Sequence, residues 1–225
     1  SESLQVWIRD IPVGATITDN DGESFTAPVG NTFTDVTDWT WTTLSLTPPL
    51  HVGDDIDQTI RAISSETRDG DTNTVDETLT IAVTPVVDTP TIVTAGDVTG
   101  NEDEWITLDL ETTLVDQDLS EILTQELRDL PENAQLRDGG SNTATVDGSG
   151  TVDISGWDLS TLEILAPLHS DDDITATIAI WATETENSDQ SVEVTDTFTI
   201  TVDAVADAPN LTAEDQTGDE DTAIA

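Results

Sequence analysis

The sequence is internally repeated at a spacing of 118 or 119 residues. Arg9-Asp10-Ile11-Pro12 returns as Arg128-Asp129-Leu130-Pro131, and Gly100-Asn101-Glu102-Asp103 returns as Gly218-Asp219-Glu220-Asp221. A unit of that length can bury a core of its own. The repeat therefore predicts an array of domains and argues against a solenoid of short repeats.

Apolar and polar residues alternate along several segments. Positions 174, 176, 178 and 180 are apolar and share one face, and 197–202 alternates as its first copy 78–83 does. A period of two with one apolar face predicts half-buried strands. Turn sequences at 19–22, 138–140 and 147–150 separate the runs, and a single short helical turn is expected within 157–162. About seven strands per repeat predict an all-β fold of tandem Greek-key β-sandwiches, cadherin- or immunoglobulin-like.

The repeat also sets the expected domain boundaries. Ser1-Glu2 aligns with Ser120-Glu121, so the first copy lacks a counterpart of residues 91–119. We expect a β-sandwich without its opening strand or strands at 1–89, a complete one at 90–208, and the opening strand of a further repeat at 209–225. Short linkers that end in proline, such as 85–90, should hold neighbouring domains close. Residues 210–225 are expected either to add as a strand to the first domain of another chain or to make only a lattice contact.

The charge of the chain excludes several partners. The formal net charge is −43 over 225 residues, and all five basic residues are arginines. Nucleic acid and anionic membrane surfaces would repel such a chain, and no apolar run is long enough to span a bilayer. Without cysteine there is no disulfide and no thiolate metal site. Disorder is the competing interpretation of so acidic a chain, but the strand patterning and six tryptophans favour a folded one. An acidic surface of this kind suits high salt, or millimolar divalent cations outside a cell.

One acidic turn has the spacing of a cation site. Asp116, Asp118 and Glu121 stand at i, i+2 and i+5, where three carboxylates can reach one hard ion, and Ca²⁺ takes six to eight oxygen ligands. The turn is not an EF-hand, because its sixth position is Glu121 and its twelfth is Leu127. An acidic turn in an acidic protein is more often simply solvated, so the turn alone is weak evidence.

Further acidic residues fall where one domain should meet the next. A shared ion needs carboxylates from the end of one sandwich, from the linker and from the top of the next. All three sources are present, and we expect Ca²⁺ to be held by members of the following set in addition to the turn: Asp88 and Asp207 in the linkers, Glu66 and Glu184 at strand ends, and Glu102, Asp103, Glu220 and Asp221 in the opening segments.

The order of these motifs resembles cadherins, and more closely the cadherin-like tandem repeats of large bacterial adhesins exported by type I secretion. The resemblance rests on Gly100-x-Glu102-Asp103, Asp116-x-Asp118-x-Ser120-Glu121, Leu130-Pro131 and Val205-Ala206-Asp207-Ala208-Pro209. The linker departs from the animal cadherin pattern because it lacks an Asn-Asp-Asn run. What the resemblance implies is an extracellular extender region whose junctions are stiffened by Ca²⁺.

The expected function is therefore structural: a secreted or surface-bound segment that holds a binding tip or the next subunit at a distance. Its partners would be neighbouring repeats of the same protein. The alternative is a ligand-binding module for glycan or peptide, for which the tryptophans that do not match between copies are the candidate contacts. We expect no enzymatic activity, because no nucleophile motif, phosphate loop or singled-out carboxylate pair is present. His51 and His169 recur at one position, and one histidine per domain favours a packing role over a zinc site.

Overall fold

The computed structural model describes residues 2–30, 32–116, 119–221 and 223, and its regular secondary structure there is almost entirely β-strand. The first unit has a four-stranded sheet in the order β4-β1-β6-β7 and a three-stranded sheet in the order β3-β2-β5. A short 3₁₀ turn, Trp41–Thr43, precedes β5. The strands of the first unit are β1 Glu2–Arg9, β2 Thr16–Thr18, β3 Ser24–Thr26, β4 Thr34–Asp35, β5 Ser45–Thr47, β6 Ile56–Glu66 and β7 Thr72–Ile81.

The second unit repeats this plan with additional strands at its start. A five-stranded sheet in the order β15-β12-β17-β18-β9 faces a four-stranded sheet in the order β10-β16-β13-β14, and β11 pairs with β8. The 3₁₀ turn Leu159–Thr161 confirms the single short turn expected within 157–162. The strands of the second unit are β8 Thr91–Gly96, β9 Val98–Asn101, β10 Ile106–Thr107, β11 Asp109–Thr113, β12 Glu121–Arg128, β13 Gln135–Arg137, β14 Thr143–Thr145, β15 Val152–Asp153, β16 Glu163–Leu165, β17 Ile174–Glu184 and β18 Val194–Asp203.

The architecture is a pair of β-sandwiches, as the alternation predicted. The two hydrophobic cores are separate, because one is built from buried residues between 6 and 36 and the other from buried residues between 106 and 202. In the second core Leu136 of β13, Ile164 of β16 and Ile178 of β17 are all fully buried. Side chains from two sheets therefore interdigitate in one layer, which is how a sandwich gains most of its stability.

The same alternation does not lead to the same burial in the two copies. Phe198 and Ile200 of β18 are 2% and 0% exposed, whereas Leu79 of β7, the counterpart of Phe198, is 48% exposed. The prediction of a half-buried strand is confirmed for β18 and is wrong for β7. In the second unit β9 pairs with β18, whereas β7 is the edge of its sheet.

The last segment does not form the expected strand. Residues 204–221 contain no strand in the described part of the chain, and their side chains are exposed. Their counterparts in the second unit, at 91–101, are ordered because β8 pairs with β11 and β9 pairs with β18.

Candidate metal centre

Two glutamates meet at the end of the second unit that faces the first. Glu121 opens β12, Glu184 closes β17, and the two residues are directly opposite each other in the antiparallel register. Side chains of opposite residues project from the same face of a sheet. Both are almost completely buried, with 6% of Glu121 and 2% of Glu184 exposed. The end of this sheet therefore holds two carboxylates side by side.

The linker brings a third carboxylate to this end. The backbone N–H of Asp88 donates a short hydrogen bond to Oε1 of Glu121, which ties the linker to the second unit. The Asp88 side chain lies against the first unit, because its Oδ2 is 2.9 Å from Nδ1 of His51. The side chain of Asn187 closes the other side of the junction by donating to the carbonyl of Pro85 at 3.1 Å.

A fourth carboxylate comes from the turn before β12. Asp116 is 5% exposed, and its Oδ2 accepts a hydrogen bond from the hydroxyl of Ser120 at 3.5 Å. His51, Asp88 and Asp116 each offer a ligand atom, and these three atoms lie within 4.8 Å of one another. The cluster thus combines a loop of the first unit, the linker and the turn of the second unit.

The cluster borders a cleft of about 170 Å³ lined by residues of both units, among them His51, Asp88, Asp116 and Glu184. Gly53 allows the linker to close over it, since a Cβ at this position would stand 2.6 Å from Cβ of Pro85 and 3.0 Å from its Cα. Because a water molecule takes about 30 Å³ of liquid volume, the cleft has room for an ion and several waters.

Glu121 is the electrostatic centre of this arrangement. Burial raises the pKa of its carboxyl, the N–H of Asp88 opposes that rise, and the nearby carboxylates of Asp88, Asp116 and Glu184 raise it further. Its second oxygen, Oε2, is buried without a hydrogen-bond partner. A buried ionised oxygen with no partner is costly, so the site favours either a proton on Glu121 or a cation beside it.

The available ligand atoms fit a hard divalent cation. The carboxylate oxygens here come from the linker and the second unit, carboxylate oxygens are ligands that Ca²⁺ prefers, and waters can complete its shell. The carboxylates that the sequence predicted and the fold brings together here are Asp88, Asp116, Glu121 and Glu184. Asp118, the middle member of the predicted turn, lies outside the described residues.

Three other predicted ligands gather at the opposite end of the second unit. Nδ1 of His169 is 3.0 Å from Oδ2 of Asp103 and 3.0 Å from Oδ2 of Asp207, and Glu102 accepts a hydrogen bond from the N–H of Val205 at 2.7 Å. This cluster repeats the pairing of His51 with Asp88 but is more open, with 59% of the His169 side chain exposed. The cluster contains the side chains that the second unit and the linker after it would contribute to a junction.

The remaining predicted ligands do not join the first junction. Glu66 closes β6 and is opposite Glu2, as Glu184 is opposite Glu121. It therefore lies at the far end of the first unit, about 33 Å from Ile56 for a strand of this length. Glu220 and Asp221 are exposed in the segment without strands. The expectation that these three act at a junction stays a prediction.

The histidines are the site residues that sequence reasoning undervalued. Their recurrence at one repeat position was visible, but a packing role was favoured because each domain has only one. His51 has a left-handed backbone, with φ of 59°, and this turn directs its ring to the linker carboxylate of Asp88. By contrast, Asp55 and Asp173, which follow the two histidines in sequence, accept the N–H groups of Val83 and Val202 at 3.1 and 3.0 Å, which is a structural role.

A second surface feature bears on the ligand-binding alternative. Trp7 packs on Phe33 with ring centroids 5.6 Å apart, and a half-open depression of about 250 Å³ lies between these rings, Arg9, Arg61 and Ile63. Nε1 of Trp7 is buried without a partner. Arg61 is already held by two hydrogen bonds to Asp76, at 2.7 and 2.6 Å.

Comparison with known proteins finds likeness only at the level of solved structures. No protein-family model matches the chain, and no curated protein matches it. A chimeric titin Z1Z2-Z1Z2 tandem carrying a GRGDS peptide from fibronectin is 14% identical, with a TM-score of 0.24 over 91% of this chain and 92% of that chain. The cadherin-like domains 1 to 4 of zebrafish RET are 12% identical, with a TM-score of 0.27 over 89% of this chain and 41% of that chain. Among the described residues, no helix has the length and apolarity needed to cross a membrane.

Proposed function

We propose that this chain is a spacer segment of an extracellular adhesin or surface filament, stiffened by Ca²⁺ at the junctions between its β-sandwiches. The observation that carries the proposal is the buried, unpartnered Oε2 of Glu121. It lies among carboxylates of Asp88, Asp116 and Glu184 that come from the linker and the second unit. The cleft beside it is lined by the first unit as well.

Without a cation these carboxylates repel one another, and the hinge between the sandwiches loosens. A bound cation takes oxygens from the linker and the second unit while His51 holds Asp88 against the first unit. The two units then keep one orientation. Because the ion binds only the ordered junction, it also stabilises the fold by mass action. A rigid junction sets the distance that a string of such units spans.

The test is a Ca²⁺ titration followed by isothermal calorimetry and small-angle scattering, in buffers matched for ionic strength. We expect saturable binding and a longer mean end-to-end distance in Ca²⁺ than in EDTA. Matching the ionic strength with NaCl separates coordination from general screening of the −43 charge. An unchanged scattering profile and no binding heat would refute the proposal.

The depression beside Trp7 favours glycan binding as a second candidate function. Aromatic faces with an arginine beside them suit a carbohydrate that carries a carboxylate. Trp7 and Arg9 would make the contacts, since Arg61 is occupied by Asp76. Trp7→Ala should abolish binding in a titration with uronic-acid oligosaccharides, whereas Trp181→Ala, in the other unit, should not. If the native chain binds none of them, this candidate fails and the spacer role is unaffected.

A further inference from the structure

A histidine and two carboxylates converge at the junction between the two units. His51, Asp88 and Asp116 each place one ligand atom within 4.8 Å of the other two. The histidine belongs to the first unit, Asp88 to the linker, and Asp116 to the turn before β12 of the second unit. Ca²⁺ takes oxygen ligands, and an imidazole nitrogen is not one of them. With Ca²⁺ at the junction, His51 therefore has no direct role in coordination.

The placement of this histidine recurs in the second unit. Nδ1 of His51 is 2.9 Å from Oδ2 of the linker residue Asp88. Nδ1 of His169 is 3.0 Å from Oδ2 of Asp207, which has the corresponding position in the next linker, and 3.0 Å from Oδ2 of Asp103. Both histidines have a left-handed backbone, with φ of 59° and 57°. This conformation is strained for an L residue, so the fold directs both rings to a linker carboxylate by the same local means.

A histidine with two carboxylates is a ligand set for Zn²⁺. Imidazole nitrogen suits Zn²⁺ and other transition metals, and three protein ligands with a water in the fourth position form an open tetrahedral site. Ligand atoms about 2.0–2.1 Å from a tetrahedral Zn²⁺ stand about 3.3 Å from one another. Nδ1 of His51 and Oδ2 of Asp88 are 2.9 Å apart, so they need to separate by only about 0.4 Å. The adjoining cleft of about 170 Å³ has room for the water.

The surroundings of the cluster also favour a bound cation. Asp116 is 5% exposed, and the neighbouring Glu121 and Glu184 are 6% and 2% exposed. Oε2 of Glu121 is buried without a hydrogen-bond partner, while the other oxygen accepts the N–H of Asp88. Buried carboxylates and an unpartnered oxygen are costly without a positive charge beside them. The cluster therefore differs from an acidic patch that is simply solvated.

We propose that the first junction binds Zn²⁺ through His51, Asp88 and Asp116, and that this ion fastens the two units by direct bonds to both. Ca²⁺ held by carboxylates takes its ligands from the linker and the second unit, and it reaches the first unit only through the contact of His51 with Asp88. Zn²⁺ replaces that contact with coordination. The inference goes beyond the proposed function and does not depend on it, because Zn²⁺ requires the histidine as a ligand and Ca²⁺ does not.

The test uses the full chain with the substitution His169→Ala, which removes the second histidine cluster from the readout. His169 has the same repeat position as His51, so this variant is also the matched control for loss of a histidine. The chain has two histidines and no cysteine. Any Zn²⁺ that remains bound after His51→Ala is added must therefore be held by oxygen ligands.

The effect of His51→Ala should differ between the two ions. Zn²⁺ loses a ligand, so its affinity should fall by more than about a hundredfold, which is the upper end of the cost of a residue that only orients a ligand. Ca²⁺ should lose only about tenfold, because His51 orients Asp88 for it. Isothermal titration with each ion, in about 0.5 M NaCl to screen the −43 charge, measures both changes.

Cobalt reports the coordination without relying on the variant. Co²⁺ bound in place of Zn²⁺ should give the intense visible absorption of a four-coordinate ion in His169→Ala, and added Zn²⁺ should remove it. If His51→Ala loses Ca²⁺ binding as well, so that the junction itself is disturbed, the cobalt spectrum of His169→Ala decides. Only the weak absorption of six-coordinate Co²⁺ in that protein would overturn the inference.

The outcomes for the two ions are distinguishable. Zn²⁺ affinity that falls tenfold or less in His51→Ala, or no Zn²⁺ binding at all, would overturn the inference and leave the Ca²⁺ proposal standing. Zn²⁺ binding that depends on His51, in a chain that does not bind Ca²⁺, would sustain the inference and contradict the Ca²⁺ proposal. Binding of neither ion would contradict both.

Discussion

Replacing Glu121 by glutamine should raise stability in EDTA and remove most of the stabilisation that Ca²⁺ gives. In EDTA the native carboxylate has a buried oxygen without a partner. An amide there can donate to the surrounding carboxylates, and relief of one unsatisfied buried group is worth about 1–3 kcal/mol. At about 4 °C per kcal/mol for a unit of this size, the variant should melt roughly 4–12 °C above the native protein.

In Ca²⁺ the advantage of the variant should fall by about 9 °C, because the native protein gains more from the cation. At 100 times its dissociation constant a cation stabilises the fold by about 2.7 kcal/mol, or about 11 °C. A hundredfold loss of affinity in the variant would leave about 0.4 kcal/mol, so its shift would fall to about 2 °C. Differential scanning calorimetry in EDTA and in Ca²⁺, at matched ionic strength, measures all four values.

Glu2→Gln is the matched control, because Glu2 occupies the position of Glu121 in the first copy and is exposed. It should move neither melting temperature of the monomer by more than about 1 °C, as for most surface substitutions. A Glu121→Gln protein that is less stable in both buffers would show an ordinary structural role for this carboxylate. That result would refute the reasoning about the cation.

Four further predictions follow from the same geometry. In EDTA, the stability advantage of Glu121→Gln should be near zero below the ordinary glutamate pKa of about 4.3 and should grow as pH rises through the raised pKa of Glu121. The reason is that the Glu121 carboxyl holds its proton more tightly in the folded native protein than in the unfolded chain. Urea unfolding at stepped pH measures this dependence. Asp138→Asn should lower the melting temperature in calorimetry equally with and without Ca²⁺. The Asp138 carboxylate is stabilised in the fold by hydrogen bonds from the N–H of Asp158, the amide of Asn142 and two further N–H groups, which lower its pKa. For this group stability is lost as pH falls through its lowered pKa, and a Ca²⁺-dependent effect would contradict a purely structural role. His51→Ala should weaken Ca²⁺ binding about tenfold by isothermal titration, because Asp88 loses the imidazole 2.9 Å away that orients it, and an unchanged affinity would remove His51 from the site. Phe198→Ala should cost about 3–5 kcal/mol in urea unfolding but Leu79→Ala only about 1 kcal/mol, since their exposures are 2% and 48%; equal costs would mean that the face of β7 is covered in solution.

Much of the fold was predictable because it depends on local patterns. The alternation at 174–180 is sufficient to place four buried side chains on β17, because a strand has a period of two wherever it lies. Asp138 and Gly139-Gly140 predicted the turn between β13 and β14 for a local reason as well, since the Asp138 side chain accepts N–H groups within four residues of itself. These features need no knowledge of distant partners.

The candidate site was predictable only in part. The turn and linker carboxylates Asp88, Asp116 and Glu121 could be proposed from spacing and repeat position, yet Glu66 and Glu184 share one repeat position and were equally plausible ligands. Strand direction separates them, because β6 and β17 both end at the side of their unit that faces away from the following linker. Glu184 consequently lies at the junction with the first unit, and Glu66 lies at the opposite end of the molecule.

The sequence by itself determined the repeat, the strands and the sign of the charge, since each follows from residue order and composition. Only the tertiary structure decided which carboxylates share a cleft, that His51 lies against Asp88, and that the pattern of β7 stays exposed while that of β18 is buried. The physical reason is that burial and coordination depend on which segments pack across tens of residues. Leu79 and Phe198 have the same pattern around them, but β9 pairs with β18 while β7 is the edge of its sheet.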